Sequence, residues 1–188
     1  MSGPGLQALL LPLGLLLVLL ALWLAWTANR LDRMHHRIDV GREKLRGQLL
    51  RRSGVVLELA AGDALDPASR LILLDAAHRA RTAGAQDREA AESRLSEALR
   101  AVLDPDHQEP GPCLVAALRA DPEHGPLLEE LASACARVEL SRRFLNGDVV
   151  SARALRSRRR VRWLHLAGHA AELETVDLDD VPPAALSA

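Results

Sequence analysis

No acidic or basic side chain occurs before Arg30, and Leu6 to Thr27 reads LQALLLPLGLLLVLLALWLAWT. As a helix this stretch is about 33 Å long, against a hydrocarbon core of roughly 30 Å. Twelve of its residues are leucine. At roughly −0.5 kcal/mol each near the helix centre they contribute about −6 kcal/mol toward insertion, more than Pro12 and Gly14 remove. A cleaved signal peptide fits less well, because MSGPG has no basic residue, the apolar run exceeds a signal core, and no Ala-x-Ala site precedes the charges. The pattern predicts a transmembrane helix over 6–28, preceded by an extracytoplasmic stub, 1–5.

Beyond the apolar run the period changes. Leu31, Met34, Ile38, Leu45, Leu49, Val56 and Leu59 recur at spacings close to three and four, the stripe of an amphipathic helix that continues out of the anchor. Gly62 ends it, and Asp66-Pro67, an N-cap followed by proline at the first helical position, opens a second helix that runs to about Ala83 and Gly84. Asp87 caps a third, with Ala91, Leu95, Leu99 and Val102 on one face, stopped by Asp104-Pro105 and Pro110-Gly111-Pro112. A short helix, Leu114 to Arg119, follows. After Gly125-Pro126 comes a long helix in which Leu128, Leu131, Cys135, Val138, Arg142, Leu145, Val149 and Ala152 form a heptad seam. Arg142 interrupts that seam, and Asn146-Gly147 is a point where the helix can kink. No strand pattern occurs. The predicted fold is all-α: one N-terminal transmembrane helix, then an antiparallel up-and-down helical bundle with coiled-coil-like packing over 29–168. The acidic stretch Glu172 to Asp180 and Pro182-Pro183 predict a disordered tail over 169–188.

Composition agrees with helices. The chain is 48% hydrophobic but only 2% aromatic, with one phenylalanine, three tryptophans and no tyrosine, so its core must be built from Leu, Ala and Val. The net charge of −1 names no partner. Its distribution says more, since Arg30, Arg33, Arg37 and Arg42 follow the apolar run at once and Trp23 and Trp26 sit where an interfacial belt would lie. The positive-inside rule then places the N-terminus outside and the domain in the cytoplasm. Lys44 is the only lysine in an Ala-, Leu- and Arg-rich chain, a usage typical of GC-rich bacterial coding sequences, so the membrane expected is the bacterial inner membrane.

Two stretches resemble the LemA family of bacterial membrane-anchored helical bundles. RIDVGREKLRGQLLRRSGVVLELA, from Arg37 to Ala60, is similar to that family's opening helix through Ile38-Asp39-Val40 and Arg51-Arg52. LLEELASACARVELSRRFLNGDVVSAR, from Leu127 to Arg153, is similar to its last helix, where an Arg-Phe-Tyr-Asn run precedes an acidic residue and a valine. Arg143, Phe144, Asn146 and Val149 match that run, and Leu145 stands in place of the tyrosine. Trp163-Leu164-His165-Leu166-Ala167-Gly168 replaces the aromatic signature typical near the family's C-terminus, so the resemblance is to a divergent member. It implies an anchor and a bundle, and no catalytic, cofactor or metal residues.

The densest charge lies in ARALRSRRRVRW, where Arg153, Arg156, Arg158, Arg159, Arg160 and Arg162 crowd six positive charges into ten residues. Anionic lipid would answer it at about 1 kcal/mol per near-surface arginine. A solvated helix face, or pairing with Glu172, Glu174, Asp177, Asp179 and Asp180, answers it as well. Nucleic acid fits poorly because the domain is not basic overall. His165 and His169 have the four-residue spacing of a metal pair but no third ligand. His35-His36 lies below the anchor, and His78, His107 and His124 are isolated from any Ser or Cys nucleophile. Cys113 and Cys135 have no CxxC partner and read as small hydrophobes in a reducing compartment. Glu129 and Glu130 are adjacent and diverge on a helix. The expected function is a non-catalytic, membrane-anchored scaffold or interaction module without cofactor, binding an unidentified protein or itself. The alternatives are an anionic-lipid sensor acting through the Arg153–Arg162 run, and an enzyme subunit with a crevice site using His165, His169 or Asp148.

Overall fold

The structure is a computed structural model that describes residues 4–104, 114–156 and 174–186, with the side chains of 4–11, 27, 28, 31 and 156 outside that description. Every regular element among the described residues is helical: α1 Pro4–Ala61, α2 Pro67–Thr82, α3 Arg88–Leu103, α4 Leu114–Ala120 and α5 Gly125–Arg156, with a single 3-10 turn at Ala184–Leu186. Among these residues no helix is long and apolar enough to cross a membrane. The start of the expected span, 6–11, and its end at Thr27 and Ala28 lie outside the residues whose side chains are described.

Local chemistry accounts for the boundaries. Asp66, in an extended conformation, accepts hydrogen bonds from the Ala68 and Ser69 amides at 2.9 and 3.1 Å, and Pro67 follows at the first helical position. Asp87, by contrast, has helical dihedrals and makes no side-chain cap, so α3 starts on its backbone alone. Asp121 accepts from the Glu123 amide at 2.8 Å and receives the Gly125 amide on its carbonyl at 2.9 Å, closing the turn into α5. A Cβ on Gly125 would lie 2.9 Å from the Arg119 carbonyl oxygen, so only glycine lets α5 begin that close to the end of α4. Asn146-Gly147, the expected kink point, is passed in continuous helix.

The chain forms two compact units. The first comprises residues 1–39 and 148–174. In it Ile38, Val149, Ala152 and Leu155 are buried and Arg37 pairs with Asp148 at 3.6 Å, while Leu13 through Leu22 are exposed, from 46% at Leu20 to 62% at Leu15 and Leu22.

The second unit, 40–147 and 175–188, holds the main core. Five helices contribute to it: Val56 and Leu59 from α1, Leu73 and Ala77 from α2, Leu95, Leu99 and Leu103 from α3, Val115 and Leu118 from α4, and Leu128, Leu131 and Cys135 from α5. Burying each leucine contributes about 1.5–3 kcal/mol. Gly41 faces Leu145 and Arg51 bonds to Glu130, so within this unit α1 and α5 run antiparallel. Every apolar position of the predicted α5 seam is buried.

The tail departs from expectation. Residues 175–186 are not a segment without contacts but an extended strap bonded to α3 and α5, with Leu178, Asp180, Pro183 and Leu186 buried. Disorder does not follow from acidic composition here because the groove supplies arginines and a hydrophobic seat that the strap's own sequence lacks.

Candidate functional site

The groove under the strap is built from polar residues spaced along two helices. On α3, Glu89, Ser93, Ser96 and Arg100 lie three and four positions apart and so share one face. On α5, Arg142 and Asn146 have the same four-residue spacing.

Asn146 uses both ends of its amide on one strap residue. Nδ2 donates to the Val176 carbonyl and Oδ1 accepts from the Val176 amide, each at 2.9 Å. The Ser93 hydroxyl accepts from the Asp179 amide at 3.0 Å, and the Ser96 hydroxyl reaches the Asp179 carbonyl at 2.7 Å. Glu89 accepts from the Asp177 amide at 3.3 Å, and Arg100 donates to the Val181 carbonyl at 2.8 Å. Side chains add the second layer. Arg100 also pairs with the Asp179 carboxylate through both terminal nitrogens. Arg142 forks onto Asp180, Nε to one oxygen at 2.6 Å and Nη2 to the other at 2.9 Å. The Arg100 hydrogen bond holds the Asp179 carboxyl below its ordinary range. Further along, Asp104 accepts from the Ala185 amide and Arg119 reaches the Ala185 carbonyl, each at 3.4 Å.

Beneath the strap lies a fully buried ion pair. Arg52 of α1, 1% exposed, pairs with Glu92 of α3 at 2.7 Å and also donates to the Glu92 carbonyl and to the Ser96 hydroxyl. Burial pushes the Glu92 carboxyl above its ordinary range, and the Arg52 charge and hydrogen bond only partly offset it. Ser96 therefore joins the ion pair on one side to the Asp179 carbonyl on the other. Cys135 of α5 sits close enough to Arg52 to feel its charge, yet burial dominates and pushes the thiol up. Such a thiol is unreactive and packs as the expected small hydrophobe.

An open cleft of about 180 Å³ adjoins the strap. Leu45, Leu49, Leu145 and Leu178 line it, with Arg46 and Arg88 among its polar residues. Its volume is below the 300–1,000 Å³ of ordinary ligand pockets.

The residues singled out by sequence are dispersed. Of the family-like patch, Asn146 is in the groove, Val149 is buried, Phe144 is 67% exposed and Arg143 makes only a 3.6 Å pair with Glu139. Arg153 is exposed on α5. The Arg156 side chain and residues 157–173, hence Arg158, Arg159, Arg160, Arg162, His165 and His169, lie outside the described residues, as do His107 and Cys113. Asp148 pairs with Arg37, and His78 is exposed. His124 is buried with Nδ1 3.1 Å from Asp121, and a Cβ on Gly62 would meet its Nε2 at 2.6 Å. Among the described residues no three His, Cys, Asp or Glu side chains are grouped to hold a metal ion.

The sequence pattern marks Arg52 only as half of the Arg51-Arg52 pair and does not single out Glu92, Ser93, Ser96 or Arg100. A signal was present: Arg52 falls in register with Leu45, Leu49, Val56 and Leu59, and Glu92 and Ser96 alternate with Leu95 and Leu99, so charges occupy core positions. No known family model, curated protein or solved structure matches the chain.

Proposed function

We propose that this protein is a membrane-tethered, non-enzymatic interaction module of the bacterial inner membrane, a divergent LemA-like protein whose helical domain lies in the cytoplasm. The observation that carries the reading is the N-terminal part of α1. Leu13, Leu15 to Leu17, Val18 to Leu20 and Leu22 are all exposed, so the apolar surface continues around the helix, not along one stripe. A helix that is apolar all round needs an apolar solvent, and 22 uncharged residues from Leu6 to Thr27 suffice for a bilayer. Trp26 stacks under Arg30 at 5.7 Å, an aromatic and cationic pair suited to the interface. Arg30, Arg33, Arg37 and Arg42 on the C-terminal side favour that side as cytoplasmic.

A non-enzymatic role is supported by how the titrating groups are used. Around the groove the groups with shifted proton affinity, Glu92, Arg100, Arg142 and Asp179, owe the shift to burial or to an ion-pair partner, Asp180 in the case of Arg142, and each is already engaged by that partner. The adjoining cleft has leucines, three arginines and Glu89 around it rather than an acid–base or nucleophile arrangement.

The test is alkaline carbonate extraction of native membranes, followed by cross-linking of the intact protein and mass spectrometry of the attached chains. Retention in the membrane pellet with reproducible cross-linked partners is the expected result. Release by carbonate overturns the anchor, and turnover of a substrate by the purified chain overturns the non-enzymatic assignment.

A further inference from the structure

The strap makes contacts of the kind a bound peptide makes. Its main chain is read at Val176, Asp177, Asp179 and Val181 by Asn146, Glu89, Ser93, Ser96 and Arg100, and the carboxylates of Asp179 and Asp180 are read by separate arginines. Main-chain hydrogen bonds provide affinity for any extended segment, and the arginines with the Leu178 seat provide selection for an acidic one. Apart from the leucine seat under Leu178, the groove's lining is polar and can exchange peptide for water. Hydroxyls, a carboxamide and guanidinium groups are served by water as well as by peptide, whereas a vacated apolar core would collapse or aggregate. The 18 residues 157–174 join α5 to the strap, a length of chain that spans at most about 60 Å.

We propose that this groove is a recognition site for an extended acidic peptide of the pattern Val-x-Leu-Asp-Asp-Val, and that residues 176–181 of a second copy of this chain occupy it in trans, in exchange with the chain's own segment. Exchange of an identical element conserves every contact and needs only that the cis segment leave. The cis strap then acts as a competitor, present at the millimolar effective concentration of a tethered ligand.

Two full-length chains with exchanged charge test this. One carries Arg100→Glu with Arg142→Glu; the other carries Asp179→Arg with Asp180→Arg. Each is mismatched with its own strap, and each groove matches the strap of the other. Differently tagged and mixed in detergent, they should co-purify about tenfold or more above either chain mixed with itself, and high salt should dissociate them. Two chains with wild-type helicity that do not associate overturn the proposal. If charge reversal prevents folding, the wild-type full-length chain decides it through anisotropy of a labelled 174–186 peptide. Saturable binding at up to a few millimolar, weakened about tenfold or more in a peptide with Asp179→Asn and Asp180→Asn, supports it. Absence of saturable binding in that range overturns it.

Discussion

Arg142 of α5 holds Asp180 with two hydrogen bonds, at 2.6 and 2.9 Å, across 38 residues of chain. The same arginine is the one polar residue in an otherwise apolar heptad seam. Its departure from the pattern therefore marks a position at which α5 serves the strap, before Leu145 returns to packing against α1.

Replacing Arg142 by leucine restores the seam but strands the Asp180 carboxylate, whose side chain is only 6% exposed. Leaving one buried partner unpaired should cost about 2–3 kcal/mol in urea denaturation. Combining Arg142→Leu with Asp180→Leu should recover most of that loss. Arg142→Lys should rescue poorly, because an ammonium cannot reproduce the fork.

The Arg52–Glu92 pair should behave similarly on a larger scale. Glu92→Gln leaves a buried guanidinium without its counter-charge and should destabilise the domain by about 3–5 kcal/mol. The double change Arg52→Met with Glu92→Leu should lie within about 1–2 kcal/mol of wild type, because desolvating both ions already cancels much of their attraction. A thermal melt of the three proteins checks both statements.

The two carboxylates give pH dependences of opposite sign. Asp179 is held below its ordinary value of 3.8, so its contribution is present above that value and disappears as pH falls through the lower folded one. Glu92 is raised above its ordinary 4.5, so its contribution is fullest below 4.5 and is lost as pH rises through the folded value. Acid should therefore release the strap while the helices remain. Protection of the Val176, Asp179 and Val181 amides against hydrogen exchange, taken relative to the intrinsic rate at each pH, should fall below about pH 4 before far-ultraviolet dichroism changes.

Two glycines of α5, one at its first position and one in its interior, should respond oppositely to alanine. Gly147 has no heavy atom within 4 Å of an added Cβ, so Gly147→Ala should stabilise by about 0.5–1 kcal/mol through helix propensity. Gly125→Ala would drive its Cβ to 2.9 Å from the Arg119 carbonyl, backbone against backbone, and should cost about 1–3 kcal/mol. Paired denaturation curves distinguish the two.

The helices were legible in the chain because their determinants are local. A 3.6-residue period in Leu45 to Leu59 and Leu128 to Ala152, and cap residues such as Asp66, act within one or two turns. They place α1 to α4 and the start of α5 within a residue or two of the observed ends, and the all-α class follows from them. The groove was not legible, because its determinants are distant. Ser93 and Ser96 meet Asp179 across 86 and 83 positions, and Arg52 meets Glu92 across 40, separations that no window of sequence period can register. An arginine, a serine or an aspartate in isolation prefers water, and composition alone therefore assigned the acidic segment to solvent. Only the folded arrangement brings opposite charges and open main-chain groups to hydrogen-bond distance, where pairing offsets desolvation. The amino-acid sequence by itself determined where helices begin, end and bury their stripes. Tertiary structure alone decided which charges go inside and where residues 175–186 lie, because those outcomes depend on partners that only folding brings together.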